Sequence, residues 1–163
     1  MTKIDKDFLS LIESNKGILY KISKSYADTL DIQEDLRQEM ILNLWKGFQN
    51  FEGKSLFSTW MYKVCLNTAL LYIRKSYRQS STYLQLEIES VHLDSHQFLD
   101  PTEERIEKLY VAIRTLKPID RSIILLYLED MSYKEISKQL GIENGNLRVR
   151  ILRIKEQLKK ILN

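Results

Sequence analysis

The strongest chemical signal in the chain is a run of cations, Arg148, Arg150, Arg153, Lys155, Lys159 and Lys160, set against one acid, Glu156. Cations in such excess suit phosphate contact, and arginine forks also match the acceptor edge of guanine in a DNA major groove. That chemistry requires a rigid carrier. Leu147, Ile151, Ile154, Leu158 and Ile161 recur at spacings of four, three, four and three, which predicts a helix from near Glu143 or Asn144 with one continuous buried stripe and basic outer faces. Just upstream, Ser132 and Glu135 form a capping box, and Ile136 and Leu140 repeat at helical spacing. Gly141 supplies a left-handed stop, and Ile142 can fold back on the apolar pair. A capped helix, a glycine turn and an arginine-bearing helix are the layout of a helix-turn-helix, whose second helix enters the major groove of duplex DNA.

A second polar stripe lies on a helix predicted from about Ser55 or Ser58 to Arg78. Lys63, Asn67, Arg74 and Arg78 sit four, seven and four apart with no acid among them, opposite an inner face of Phe57, Trp60, Met61, Val64, Cys65, Thr68 and Tyr72. By itself such a stripe is usually just the solvent face of an amphipathic helix. An earlier helix is expected to open at Asp31 with Glu34 as an acidic capping box, and to bury Leu36, Met40, Leu44 and Phe48, with Ile41 and Trp45 flanking them. Its first two turns are acidic, as the helix dipole favours. Phe8, Leu9 and Ile12, then Ile18, Leu19, Ile22 and Tyr26, give one or two further helices that join near Gly17.

The 163 residues suffice for one ordinary domain or two small ones, and 44% hydrophobic with 29% charged residues indicates globular structure. Five glycines and two prolines leave long helices uninterrupted, so the fold class expected is all-α. No apolar run reaches membrane-spanning length, and the first residues lack the apolar core of a signal peptide, so a cytoplasmic location is expected. The single cysteine, Cys65, excludes an internal disulfide and reads as a packed thiol. His92 and His96 have no third ligand, so neither a metal nor another cofactor is expected. No phosphate-cradling glycine loop or paired nucleophile and base is present, so the chain does not read as an enzyme.

Charge divides the chain into three. Residues 1–78 carry 12 basic and 9 acidic side chains, residues 79–103 carry 0 and 5, and residues 104–163 carry 13 and 8. The expected organisation is a helical bundle over 1–78, an acidic flexible linker over 79–101, and a second bundle of about four helices over 102–163. Asp100 and Pro101 mark the start of the second bundle as a capping acid followed by proline at the first helical position. Ile106, Leu109, Tyr110, Ile113 and Leu116 continue it, Pro118 interrupts it, and Ile123–Leu128 must lie buried beneath the helix-turn-helix.

With both blocks in view, the chain resembles bacterial sigma factors of the compact extracytoplasmic-function group, within the sigma-70 family. The resemblance rests on Glu34 to Glu39, Leu44 and Trp45, Phe51 to Ser55, Phe57 to Tyr62, Asn67 to Ala69, and Arg74, which match the family's sigma-two domain in order and spacing. It implies that 1–78 binds core RNA polymerase and the −10 promoter element, and that 102–163 is a sigma-four domain that reads the −35 element as a duplex. It further implies polymerase contacts at Asp35, Gln38 and Glu39. By the same resemblance Phe51 helps form a pocket for a flipped −10 base, Asn67 bonds that base's edge, and Lys63, Arg74 and Lys75 hold phosphates. Arg148, Val149, Leu152 and Arg153 match the family's base-facing positions, with Asn146 and Arg150 nearer the −35 phosphates. The linker would thread through polymerase, and relatives are commonly sequestered by an anti-sigma factor.

Two departures stand out. Many relatives carry aspartate where this chain has Leu71, and family recognition helices often read Ser-x-x-Thr-Val-Lys-Ser-Arg where this one runs from Glu143 to Arg150 without the serine cap. Val149 and Leu152 point to thymine-methyl contact in place of polar readout. The residues leave two rivals open: a stand-alone helix-turn-helix regulator that binds duplex DNA as a dimer, and a module that works through an inhibitory protein partner.

Overall fold

The computed structural model describes residues 1–82 and 100–163, which form two four-helix bundles. The first contains α1 (Lys3–Ser14), α2 (Lys16–Tyr26), α3 (Leu30–Phe48) and α4 (Phe57–Thr82). The second contains α5 (Pro101–Arg114), α6 (Pro118–Leu128), α7 (Tyr133–Leu140) and α8 (Asn144–Leu162). Most of the expected 79–101 linker, with His92 and His96, lies outside the described residues, although α4 continues past Arg78 to Thr82.

Local chemistry sets the helix starts. A capping box opens α1, with the Asp5 amide donating to Thr2 Oγ1 at 3.2 Å and the Thr2 amide to Asp5 Oδ2 at 2.6 Å. The cap of α3 is Thr29, whose hydroxyl accepts the Ile32 amide at 3.3 Å, and not the expected pair of Asp31 and Glu34. Asp31 therefore sits inside the first turn, where it complements the dipole, and Glu34 is drawn sideways to Arg37 at 2.6 Å. Asp100 does occupy the cap position of α5 with Pro101 at the first helical position, but its side chain makes no capping hydrogen bond.

The first core gathers Phe8, Leu19, Ile22, Leu36, Met40, Leu44, Met61 and Cys65. Helix α4 buries more than the single inner face expected: Tyr62, Leu66 and Ala69 are also covered. The cause is tertiary, because α4 packs on α2 and α3 and also on α6 of the second bundle. Cys65 lies in this interior, fully buried, and burial pushes its thiol up to about 12. A thiol so raised and so buried presents little reactive thiolate. Native protein should therefore resist iodoacetamide until it is unfolded in urea, and rapid alkylation of folded protein would show the site to be open.

The two bundles share a seam built around α2. The last four carbonyls of a helix lack partners within it, and the C-terminus carries negative dipole charge. Arg114 Nη1 donates to the Lys24 carbonyl at 2.7 Å and Arg121 Nη1 to the Ser25 carbonyl at 3.3 Å. Arg121 also bonds the Arg114 and Leu116 carbonyls at 2.6 and 2.9 Å, so one guanidinium joins the C-termini of α2 and α5. Tyr26 donates to the Pro118 carbonyl at 2.8 Å, shares a short contact with the Ser122 hydroxyl, and lies beneath the Arg121 guanidinium. At the other end of the seam, Glu129 accepts from Lys21 and from the Tyr62 hydroxyl, each at 2.6 Å. Burial raises the Glu129 carboxyl, but these two donors outweigh it and hold the group below the usual carboxylate range.

Candidate nucleic-acid interface

The helix-turn-helix forms as its residues dictate. The Glu135 amide donates to Ser132 Oγ at 3.2 Å, and the Ser132 amide to Glu135 Oε2 at 2.8 Å. Gly141 takes φ +66°, which lets the Ile142 amide return to the Ser137 carbonyl at 3.1 Å. Glu143 is the cap residue of α8 but makes no side-chain capping bond. Leu147, Ile151, Ile154 and Leu158 are buried against α5, α6 and α7. Ile161 is 45% exposed, so the stripe ends one turn before the sequence suggests. The last turn of α8 is exposed on all sides.

At about 100° per residue, Val149 points almost directly away from the buried stripe, Leu152 and Arg153 lie about 60° and 40° to either side of it, and Arg148 completes one outward arc. Arg148, Val149, Leu152 and Arg153 are all exposed, as is Asn146 at the edge of the arc. Among the described residues Arg148 and Arg153 have no ion-pair partner, which leaves both forks available. Val149 and Leu152 are about half exposed and place apolar surface at the centre of a basic face, a pairing suited to thymine methyls beside guanine edges. Arg150 differs: its Nε donates to Asp120 Oδ1 on α6 at 2.6 Å.

On α4, Lys63, Asn67 and Arg74 are exposed and fall within an arc of about 40°, whereas Lys75 is about 100° round from Arg74. Leu71 shares the strip and is 61% exposed. Phe51 is half-buried in an aromatic cluster, with ring centroids 5.0 Å from Trp60, 5.8 Å from Phe57 and 6.4 Å from Phe48. Trp60 was expected only as core. It lies one turn before Lys63 on the polar arc, only half-buried, and so belongs with Phe51 as stacking surface. Helical register alone carries that signal. A Cβ at Gly47 would come within 3.0 Å of the indole, so glycine there permits the close approach of α3.

The third group sits on α3. Asp35, Gln38 and Glu39 are exposed, while Glu34 and Arg37 pair with each other. Hydrogen bonding from Arg37 holds the Glu34 carboxyl below its usual range. Arg37 is further fixed by Ser23 Oγ at 3.1 Å and by the Tyr20 ring. Beside the acids runs an apolar groove lined by Phe8, Leu9, Gln38, Ile41, Leu42 and Trp45. An acidic rim along an apolar groove suits a protein partner better than a polyanion. Among the described residues there is no cluster of histidine, cysteine or carboxylates able to hold a metal ion, and no helix long and apolar enough to cross a membrane.

Comparison with known proteins divides the chain at the same place. The family description Sigma-70 region 2 matches residues 11–79, and Sigma-70, region 4 matches residues 106–158. The chain is 26% identical over 160 residues to the ECF RNA polymerase sigma factor SigE of Mycolicibacterium smegmatis, covering 93% of this chain and 60% of that relative's length. It is 25% identical over 179 residues to SigW of Bacillus subtilis, covering 98% and 91%. The sigma factor RpoE of Bartonella quintana, solved in complex with the anti-sigma factor NepR, shares the fold with a TM-score of 0.72 at 24% identity, over 96% of this chain and 97% of that one. A lone helix-turn-helix regulator has no use for region 2, which here coincides with the first bundle. Two sigma-70 regions in order, each coinciding with one bundle, place this chain in the extracytoplasmic-function group of the sigma-70 family of RNA polymerase sigma factors.

Proposed function

We propose that three exposed surfaces divide the work of a sigma factor in this chain: α3 docks on core RNA polymerase, α4 with the Phe51 loop holds the −10 strand, and α8 reads the −35 duplex. Asp35, Gln38 and Glu39 form the polymerase contact, with the apolar groove beside them completing the interface. Phe51 and Trp60 offer stacking surface to a base displaced from the duplex, Asn67 bonds its edge, and Lys63, Arg74 and Lys75 hold the backbone. Unstacking costs a few kcal/mol, which stacking at about 1–3 kcal/mol per base and phosphate contact can offset. The flipped base is held and not altered, so the role is binding and not catalysis. Arg148, Val149, Leu152 and Arg153 face the −35 bases, with Asn146 beside the backbone. The chain would work where polymerase and promoter DNA are, in the cytoplasm, and the fold it shares with an anti-sigma-bound relative supports regulation by such a protein.

The observation that carries this reading is the match of each family region to a bundle that keeps most of its candidate residues at the surface. Charge reversal at Asp35, or lysine in place of Gln38, is expected to weaken binding to core polymerase about tenfold, about 1.4 kcal/mol, without changing thermal stability. Titration of fluorescent protein with core enzyme measures this. Unchanged affinity would remove α3 from the interface.

A further inference from the structure

Arg150 is the one residue of the recognition helix whose expected role and observed contacts diverge. The resemblance puts it beside phosphates, yet its Nε is 2.6 Å from Asp120 Oδ1, and the Asp120 side chain is only 15% exposed. On a wheel of about 100° per residue, Arg150 lies about 130° from the centre of the arc formed by Arg148, Val149, Leu152 and Arg153. It flanks the buried stripe on one side, as Arg148 does on the other. Its partner is well anchored. Asp120 stands in the first turn of α6, its amide returns to the Lys117 carbonyl at 2.9 Å, and its neighbour Arg121 joins α2, α5 and α6.

We infer that Arg150 is a positioning residue, not a DNA ligand: its ion pair with Asp120 fixes the rotation of α8 about its own axis and so selects which side chains meet the bases. The inference rests on α8 being the −35 reader. The hydrophobic stripe is non-directional and tolerates a small roll, whereas a charged hydrogen bond between two helices does not. Side-chain tips lie about 6 Å from a helix axis, so a roll of about 10° moves them by about 1 Å. That is enough to spoil a bidentate contact, which needs placement within about 0.5 Å.

The test uses holoenzyme assembled from the full chain and core polymerase, with promoters carrying either a preferred or a scrambled upstream element. Arg150→Ala and the near-isosteric Asp120→Asn should each lower the preferred-to-scrambled affinity ratio about fivefold to tenfold. The double variant should lose no more than either single one, and the slope of log affinity against log salt should not change. Three results would overturn the inference. One is a salt slope reduced by about one in Arg150→Ala, with both promoters weakened alike, as loss of a phosphate contact requires. Another is tighter binding to both promoters by Asp120→Asn, the sign expected if Asp120 merely competes with phosphate for Arg150. The third is an unchanged ratio in both single variants, provided Arg153→Ala still lowers it. If Arg153→Ala also has no effect, the reading of α8 fails and the inference falls with it. Thermal melting separates a lost preference from a lost fold, because a purely structural pair would lower stability without shifting the ratio per bound complex.

Discussion

Replacing Arg121 by methionine is expected to lower stability by about 3 kcal/mol and to loosen the seam between the two bundles. The guanidinium bonds three carbonyls, those of Ser25, Arg114 and Leu116, and hydrogen bonds to charged groups contribute about 1.5–3 kcal/mol each. Water re-solvates part of the loss, which keeps the total near that of one strong bond or two weak ones. Methionine preserves much of the apolar stem while removing the guanidinium, including its place over the Tyr26 ring, so the change isolates the role of the charged head. Urea unfolding followed by circular dichroism should show a transition at lower urea concentration. A single transition with an unchanged midpoint would mean that the seam holds the bundles without Arg121.

The second large effect concerns DNA. Arg153→Ala should cost about 1–3 kcal/mol on the preferred −35 element, or roughly fivefold to 150-fold in affinity, with a much smaller loss on scrambled DNA. Arg153 is exposed on the outward arc of α8 and has no ion-pair partner among the described residues, so its fork is available for a base edge. Binding by holoenzyme at a fixed salt concentration separates the two possibilities. Equal losses on both sequences would assign Arg153 to phosphate and shift specificity to Val149 and Leu152.

What the sequence makes legible is local. Ser132 with Glu135, the left-handed Gly141 and the stripe from Leu147 to Leu158 each depend on residues within a few positions of one another, and all three form as expected. The start of α3 shows the limit of that logic. Thr29 and Asp31 both satisfy cap chemistry, and the chain uses the earlier one because its hydroxyl reaches the Ile32 amide. Contacts between distant segments leave no such local trace. The second buried flank of α4 exists because that helix packs on α2, α3 and α6 together, and Tyr62, Leu66 and Ala69 do not announce that by spacing alone. Arg121 and Arg150 look like two more surface cations in a basic block. The fold turns one into a helix-terminus staple and pairs the other with an acid 30 residues away. Of the candidate site, the outward arc of α8 and the acids of α3 sit where the residue pattern puts them, whereas Trp60 requires the register of α4 relative to Phe51.

Transcription in vitro, with purified core polymerase, this chain and a library of promoters varied at both elements, tests the central assignment most directly. Initiation is expected to depend on the added chain and to select promoters that share one upstream and one downstream motif, with Arg153→Ala relaxing the first and Asn67→Ala the second. No chain-dependent initiation from any promoter, alongside retention of palindromic duplex by the purified chain alone, would contradict it.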